Sequence, residues 1–233
     1  MFYLFLGMRK WIVLLLIILC FKANAQNLSF GIAYQYQKAF QWEQMIDNYN
    51  SNAPWLVKNQ PYLNACASAN LQYVFGSKSI VHHGIGFHYV WSRSFADNVD
   101  STNRLDMHQY NFGYILQFHD EEKLKNFFFD FGFNFSINEV YQKFKNQTLD
   151  YKRNAGSGWG GNFDFKFGYK LAFGPNAWMS PFVGAGYTYT MMGDTWNTFQ
   201  TDGLSFSKNH FVYAKVGVQF EFRLPRKKGR NEE

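Results

Sequence analysis

The sequence predicts an all-β fold, an eight-stranded antiparallel up-and-down transmembrane β-barrel, and three observations carry that prediction. Apolar and polar residues alternate at period two in several segments, which gives a strand one oily face and one wet face. Aromatic residues make up 21% of the chain, 27 of them Phe, yet mean hydropathy is only −0.33, so apolar surface is interleaved with polar surface. Finally, the one long apolar run sits at the N-terminus and is too short for a membrane-spanning helix, which leaves strands as the element able to cross a bilayer.

That N-terminal run reads as a cleaved secretory signal peptide over residues 1–25. Arg9 and Lys10 supply a positive start, Trp11 to Phe21 an apolar stretch, and Ala23-Asn24-Ala25 a small-x-small cleavage site before Gln26. Met8 is an alternative start to Met1. Cys20 follows Leu19 rather than a small residue, which argues against lipidation. Cleavage removes three cations and no anion, taking the formal charge from +6 to +3. Much of the rest lies in the basic tail, residues 225–233, with Arg226, Lys227, Lys228 and Arg230. The basic pI therefore implies no nucleic-acid partner. Cys66 is the only cysteine left after cleavage, so no intramolecular disulfide is expected.

The barrel is expected over residues 26–224. Its last strand is the clearest: Val212, Ala214, Val216, Val218, Phe220, Phe222 and Leu224 alternate with Tyr213, Lys215, Gly217, Gln219, Glu221 and Arg223. A fifth strand puts Phe127, Phe129, Phe131, Phe133, Phe135 and Ile137 on one face, and a sixth does the same with Phe163, Phe165, Phe167, Tyr169, Leu171 and Phe173. Weaker alternation places strands near 27–38, 64–75, 79–93, 105–119 and 179–192. Each has the ~9–11 residues that a tilted strand needs to cross a bilayer. Short connections at 76–78, 119–125 and 174–177 alternate with longer ones at 39–63, 94–104, 142–158 and 193–209. That order suits a barrel in the cell outer membrane with both termini periplasmic.

Volume decides which face is outside. An eight-stranded lumen is only just wide enough for side chains to fill, and five or six Phe or Tyr per strand would overfill it. The opposite face carries Gly31, Gly84, Gly86, Gly113, Gly132, Gly168, Gly184, Gly186 and Gly217. Small and polar residues are therefore expected inside and aromatics toward lipid, with Tyr34, Tyr36, Tyr89, Trp91, Tyr187 and Tyr189 at one girdle and Trp178 near the other.

Lys215-x-Gly217-x-x-Phe220-x-Phe222 follows the polar-x-Gly-x-x-aromatic-x-aromatic pattern of terminal strands that the barrel assembly machinery recognises. On these residues the chain resembles the small eight-stranded outer-membrane β-barrel family over essentially its whole mature length, in the style of Bacteroidota-type barrels. Arg223 to Glu233 extend past the final aromatic, where that family commonly ends. The resemblance implies assembly-machinery recognition through Lys215, Gly217, Phe220 and Phe222.

No catalytic, cofactor or metal motif emerges. Asp130, Lys166, Lys170, Glu221 and Arg223 are expected to form a polar plug in the lumen, with Asp130 opposite Lys170 and Asn134 opposite Lys166, because a narrow lumen must pair its charges. His82, His119 and His88 are expected as hydrogen-bonded interior histidines, since a metal site needs further ligands. In the first loop Trp42, Met45, Ile46 and Tyr49 recur at i, i+3, i+4, i+7 on a short helix ended by Pro54 and Pro61. This stripe is a candidate lid over the barrel mouth or a loop interaction site. Lys143, Lys145, Lys152 and Arg153 are expected to meet lipopolysaccharide phosphates, and Trp196 and Phe199 a partner or sugar. The sequence thus points to a non-enzymatic outer-membrane barrel with a plugged lumen and a structural or surface-interaction role. Its expected partners are outer-membrane lipid, lipopolysaccharide and the assembly machinery. The alternatives are a lipid A-modifying enzyme using rim residues His108 or His210 with Ser92 or Ser94, and a narrow small-solute transporter.

Overall fold

The computed structural model describes residues 25–52, 56–75, 80–119, 126–192 and 207–224. The signal segment before Ala25, the basic tail 225–233, and Trp196 and Phe199 lie outside the described residues. The elements are β1 (Ala25–Ala39), α1 (Phe40–Asn52), β2 (Ala65–Phe75), β3 (Val81–Asn98), β4 (Ser101–His119), β5 (Phe127–Asn146), β6 (Asp150–Tyr169), β7 (Leu171–Gly174), β8 (Ala177–Met192) and β9 (Lys208–Arg223). β7 continues β6 past Lys170 on the same partner, β8, so the wall has eight positions.

Every strand pairs antiparallel with its chain neighbour, and β1 pairs with β9 from Asn27↔Arg223 to Ala39↔Phe211, which closes the sheet. Closure is what a bilayer demands, because an open edge would leave unpaired N–H and C=O groups in hydrocarbon. Both described chain ends lie at one end of the barrel, here called the terminal end. α1 lies at the other, the lid end.

Side-chain facing follows the period-two pattern. On β6, Phe163 is 56% exposed while Asn162 beside it is 1% exposed. On β9, Val216 points out and Lys215 and Gln219 point in. The outward aromatics stack across strands, as Phe127 on Phe167 with ring centroids 5.5 Å apart and Phe30 on Phe220 at 5.3 Å. The outside is therefore a continuous apolar band and the inside is polar, the reverse of a water-soluble barrel.

Two expected long connections are strand instead. β3 and β4 run on to Asn98↔Ser101 around a two-residue turn at Val99 and Asp100. β5 and β6 run on to Lys145↔Asp150, leaving only residues 147–149 between them. These wall extensions carry charge on the outward face in place of apolar residues, so no apolar alternation marks them. The register between β5 and β6 also differs from expectation. Asp130 faces Lys166 rather than Lys170, and Asn134 faces Asn162 rather than Lys166. The short turn and a bulge at Val140/Tyr141 slide β6 by four residues relative to a centred loop.

Candidate functional site

The lumen is built in layers. Nearest the terminal end, Lys170 Nζ donates to Glu221 Oε1 at 2.8 Å. Lys170 occupies the single-residue break between β6 and β7 and points inward. Above it, Lys166 Nζ lies 2.9 Å from Asp130 Oδ2 and donates to Gln219 Oε1 at 2.8 Å. Gln117 Nε2 holds the other Asp130 oxygen at 3.0 Å. The Lys166–Asp130 contact is an ion pair rather than an aligned hydrogen bond, and Gln117 and Gln219 supply the aligned ones.

One layer higher, Lys215 Nζ meets Asp164 at 2.7 and 2.8 Å to its two oxygens, and Tyr213 donates to the same carboxylate at 2.8 Å. This layer joins β9 to β6 across the intervening β8. The sequence permits it because β8 is glycine at the two crossing points. A Cβ on Gly184 would lie 2.9 Å from Lys215 Cε, and one on Gly186 would lie 2.3 Å from the Tyr213 ring and hydroxyl. Asn162 then donates to Tyr213 at 2.9 Å and to Thr188 at 2.8 Å, and Gln109 donates to Thr188 at 3.0 Å. Among these layers sits a cavity of about 20 Å³ beside His88, Asp130, Asp164, Lys166 and Lys215, space for about one water.

At the lid end the lumen becomes apolar. Trp42, Met45 and Ile46 of α1 pack with inward Cys66, Val90, Leu105, Met107, Val140, Ala155 and Phe211. Glu43 caps the helix start by accepting from Ala39 N at 3.3 Å. Gln41 is pinned to β9, its N–H donating to Asn209 Oδ1 at 3.1 Å and its Oε1 accepting from His210 N at 2.9 Å. The returning segment is tied down by buried Gln60, which donates to Ser94 Oγ at 2.6 Å, accepts from Asn103 at 3.2 Å and exchanges bonds with Asn50. Tyr62 donates to Asp47 at 2.5 Å, and that carboxylate holds the phenol above its ordinary range. Tyr49 is raised by burial, partly offset by the bond from Asn103.

Several expected placements change. Trp42, Met45 and Ile46 are buried in the mouth and unavailable to an outside partner, while Tyr49 is half-buried against the same cluster. The helix turns its whole apolar stripe inward because the lumen beneath it is apolar. Arg223 is not in the lumen. It shares the inward parity of Glu221 but stands one step beyond it at the open terminal rim, exposed, with its guanidinium 5.2 Å from the Trp178 ring centre. Lys143, Lys145, Lys152 and Arg153 lie on β5 and β6 rather than in a loop.

The rim residues considered for chemistry do not assemble. His108 points outward, where Tyr89 bonds its Nδ1 at 2.7 Å, and His210 points outward to Tyr187. Ser92 and Ser94 point inward, bonded to Ala65 O and Gln60. The wall stands between nucleophile and base. Among the described residues no group of three or more His, Cys, Asp or Glu could hold a metal ion. The assembly-signal positions divide by face: Lys215 and Gly217 inward, Phe220 and Phe222 outward. Sequence reasoning missed Asp164, Tyr213, Gln219 and Gln60, whose partners lie on strands or segments that alternation alone does not bring together.

Solved structures to which the chain is similar include the attachment invasion locus protein Ail of Yersinia pestis, at 9% identity and a TM-score of 0.39, covering 84% of this chain and 99% of that one. Neisserial surface protein A gives 10% and 0.41, over 85% and 96%. OprG of Pseudomonas aeruginosa gives 9% and 0.39, over 87% and 98%. No curated protein matches the chain. The model of the autotransporter beta-domain matches residues 71–231, from within β2 to beyond β9, and with its closed wall and apolar outer band the chain belongs to that family as an outer-membrane β-barrel.

Proposed function

We propose that this protein is a non-enzymatic outer-membrane barrel whose lumen is closed to solutes, with a structural or surface-interaction role exercised at its lid end. The observation that carries this reading is the filling of the lumen. Three ion-paired layers and an apolar helix cap occupy the axis, and the cavity between them is only about 20 Å³. A solute path would need those pairs to open, and separating a buried pair is costly.

The outward charges support an orientation. Lys38, Arg93, Arg104, Lys143, Lys152 and Lys208 all lie on the outer face at the lid end, just beyond the girdle of Tyr36, Trp91, Trp159 and Tyr189. Such a belt suits the anionic outer leaflet, with lipopolysaccharide as neighbour and both termini in the periplasm. Phe220 and Phe222, outward on the last strand, suit recognition by the assembly machinery. The separation of His108 from Ser92 and Ser94 by the wall supports the non-enzymatic part.

The test is single-channel recording of the refolded chain in planar bilayers. The expected result is an intact bilayer with no stable conductance steps. Reproducible, long-lived open steps would overturn the closed-lumen reading.

A further inference from the structure

The lipid-facing wall is not uniformly bulky. β2 presents Ala65, Ala67 and Ala69 outward, whereas its neighbours present large side chains at the same heights. The pairing sets Tyr34 of β1, Ala67 of β2 and Trp91 of β3 on one rung, and Ile32, Ala69 and Tyr89 on the next. Phe30, Leu71 and Phe87 close the trough below. The alanine strip opens into an apolar groove of about 590 Å³ floored by Ala67 and Ala69, bounded by Tyr34 and Trp91, and running across β1 to Val216 and Val218 of β9. The outward alanine strip from Ala65 to Ala69 is about 14 Å long at the rise of an antiparallel strand.

At the head of the Trp91 wall the chemistry changes sign. Arg93 stacks over the Trp91 ring at 4.8 Å and pairs with Asp106 at 2.5 Å. Asp106 also holds Arg104 at 2.8 Å, leaving Arg104 Nε buried without a partner. Arg104 in turn faces Lys143, which faces Lys152, so one rung of three adjacent strands carries three outward cations. Like charges directly opposite one another destabilise a sheet. Asp150 relieves only Lys143, at an exposed 3.7 Å. From Arg93 to Lys152 the arc crosses three strand spacings, about 14 Å. Outward on this stretch of β3 to β6 lie five cations, Arg93, Arg104, Lys143, Lys145 and Lys152, and four anions, Asp97, Asp106, Glu139 and Asp150, with the cations concentrated on the Arg104–Lys143–Lys152 rung.

We propose that this groove and arc form a binding site for one phosphorylated glycolipid of the outer leaflet, the lipid part of lipopolysaccharide. An acyl chain lies against Ala67 and Ala69, and the phosphorylated sugars lie across Arg93, Arg104, Lys143 and Lys152. The Arg104–Lys143–Lys152 rung, relieved only at Lys143 by Asp150, selects an anionic headgroup, and its width selects one carrying phosphates on a sugar framework rather than a single phosphodiester. A second copy of the barrel does not fit the groove. Its wall is convex and would rest on Tyr34 and Trp91 without reaching the floor, whereas a flexible chain reaches it. The inference rests on the chain being a lipid-embedded barrel and not on the closed lumen.

The test uses the folded full chain in neutral detergent micelles, titrated with purified lipid A and read by native mass spectrometry. Binding in micelles does not depend on which way the barrel points, so failure here is separable from failure of the proposed orientation, and conductance tests the lumen independently. Ala67→Trp fills the groove, and Arg104→Gln with Lys143→Gln weakens the arc. Ala185→Trp, outward on β8, serves as the control, and retention of the folded band in cold SDS checks each barrel. The expected result is one lipid A per chain, bound at least tenfold more weakly by Ala67→Trp and by the double variant, and unchanged by Ala185→Trp. Equal loss in Ala67→Trp and Ala185→Trp, no loss in either test variant, or equal retention of phosphatidylglycerol would overturn the proposal.

Discussion

Lys166 Nζ and Asp130 Oδ2 lie 2.9 Å apart at the centre of the lumen, with the two side chains 1% and 2% exposed. A buried pair of this kind contributes little net stability against an apolar replacement, but losing one partner strands the other charge. Asp130→Ala should therefore destabilise the refolded barrel by about 3–5 kcal/mol, while Asp130→Leu combined with Lys166→Met should lie near neutral. Urea titration in lipid vesicles measures both. A small effect of the single change would mean that water already reaches Lys166.

Gly186 decides whether β9 can reach β6. A methyl there would lie 2.3 Å from the Tyr213 ring and 2.4 Å from the Phe163 carbonyl oxygen, and neither a rigid ring nor backbone yields cheaply. Gly186→Ala is expected to cost about 1–3 kcal/mol, the range for overpacking. Because Tyr213 moves with its bond to Asp164, Tyr213→Phe should add less in the Gly186→Ala background than in the native chain.

Facing sets the response to charge. Val216 is 57% exposed in the middle of the outer band, between Tyr34 and Val183 on the neighbouring strands. Val216→Arg should cost about 2–4 kcal/mol in a bilayer, as for a cation at mid-depth on a barrel's lipid face. Val99, 82% exposed at the β3–β4 turn, should accept arginine with no measurable loss. Equal responses at the two sites would remove the assignment of inside and outside.

The lid is expected to matter for stability rather than for closure. Trp42 is 1% exposed in the apolar layer, and its truncation to alanine should cost about 3–5 kcal/mol. The ionic layers beneath it remain, so Trp42→Ala should stay non-conducting in planar bilayers. Conductance appearing on this change alone would make the helix the seal.

The membrane-crossing parts of the wall are legible in the sequence because lipid on one side and a packed lumen on the other force strict alternation, as at Phe127 to Ile137 and Val212 to Leu224. The extensions of β3 to β6 are not, because beyond the bilayer Arg93, Arg104, Asp106, Lys143 and Lys152 occupy outward positions and the contrast between faces vanishes. Lumen composition is legible too, but partners are not. Which lysine meets which carboxylate depends on the bulge at Val140/Tyr141 and on glycines that let Lys215 pass over β8, and neither leaves a periodic signal. The helix stripe is plain in the residues, but its target is set by inward Leu105, Met107 and Phe211, far away in sequence.

The most direct measurement is thiol accessibility inside the wall. With Cys66 replaced by alanine, Ser136→Cys, Ser180→Cys and Thr188→Cys each place one small thiol at an inward site that is fully buried. On the refolded protein in vesicles, a small water-soluble thiol reagent should leave all three unmodified until the barrel is unfolded. Rapid modification of the folded form would contradict the packed lumen on which the account depends.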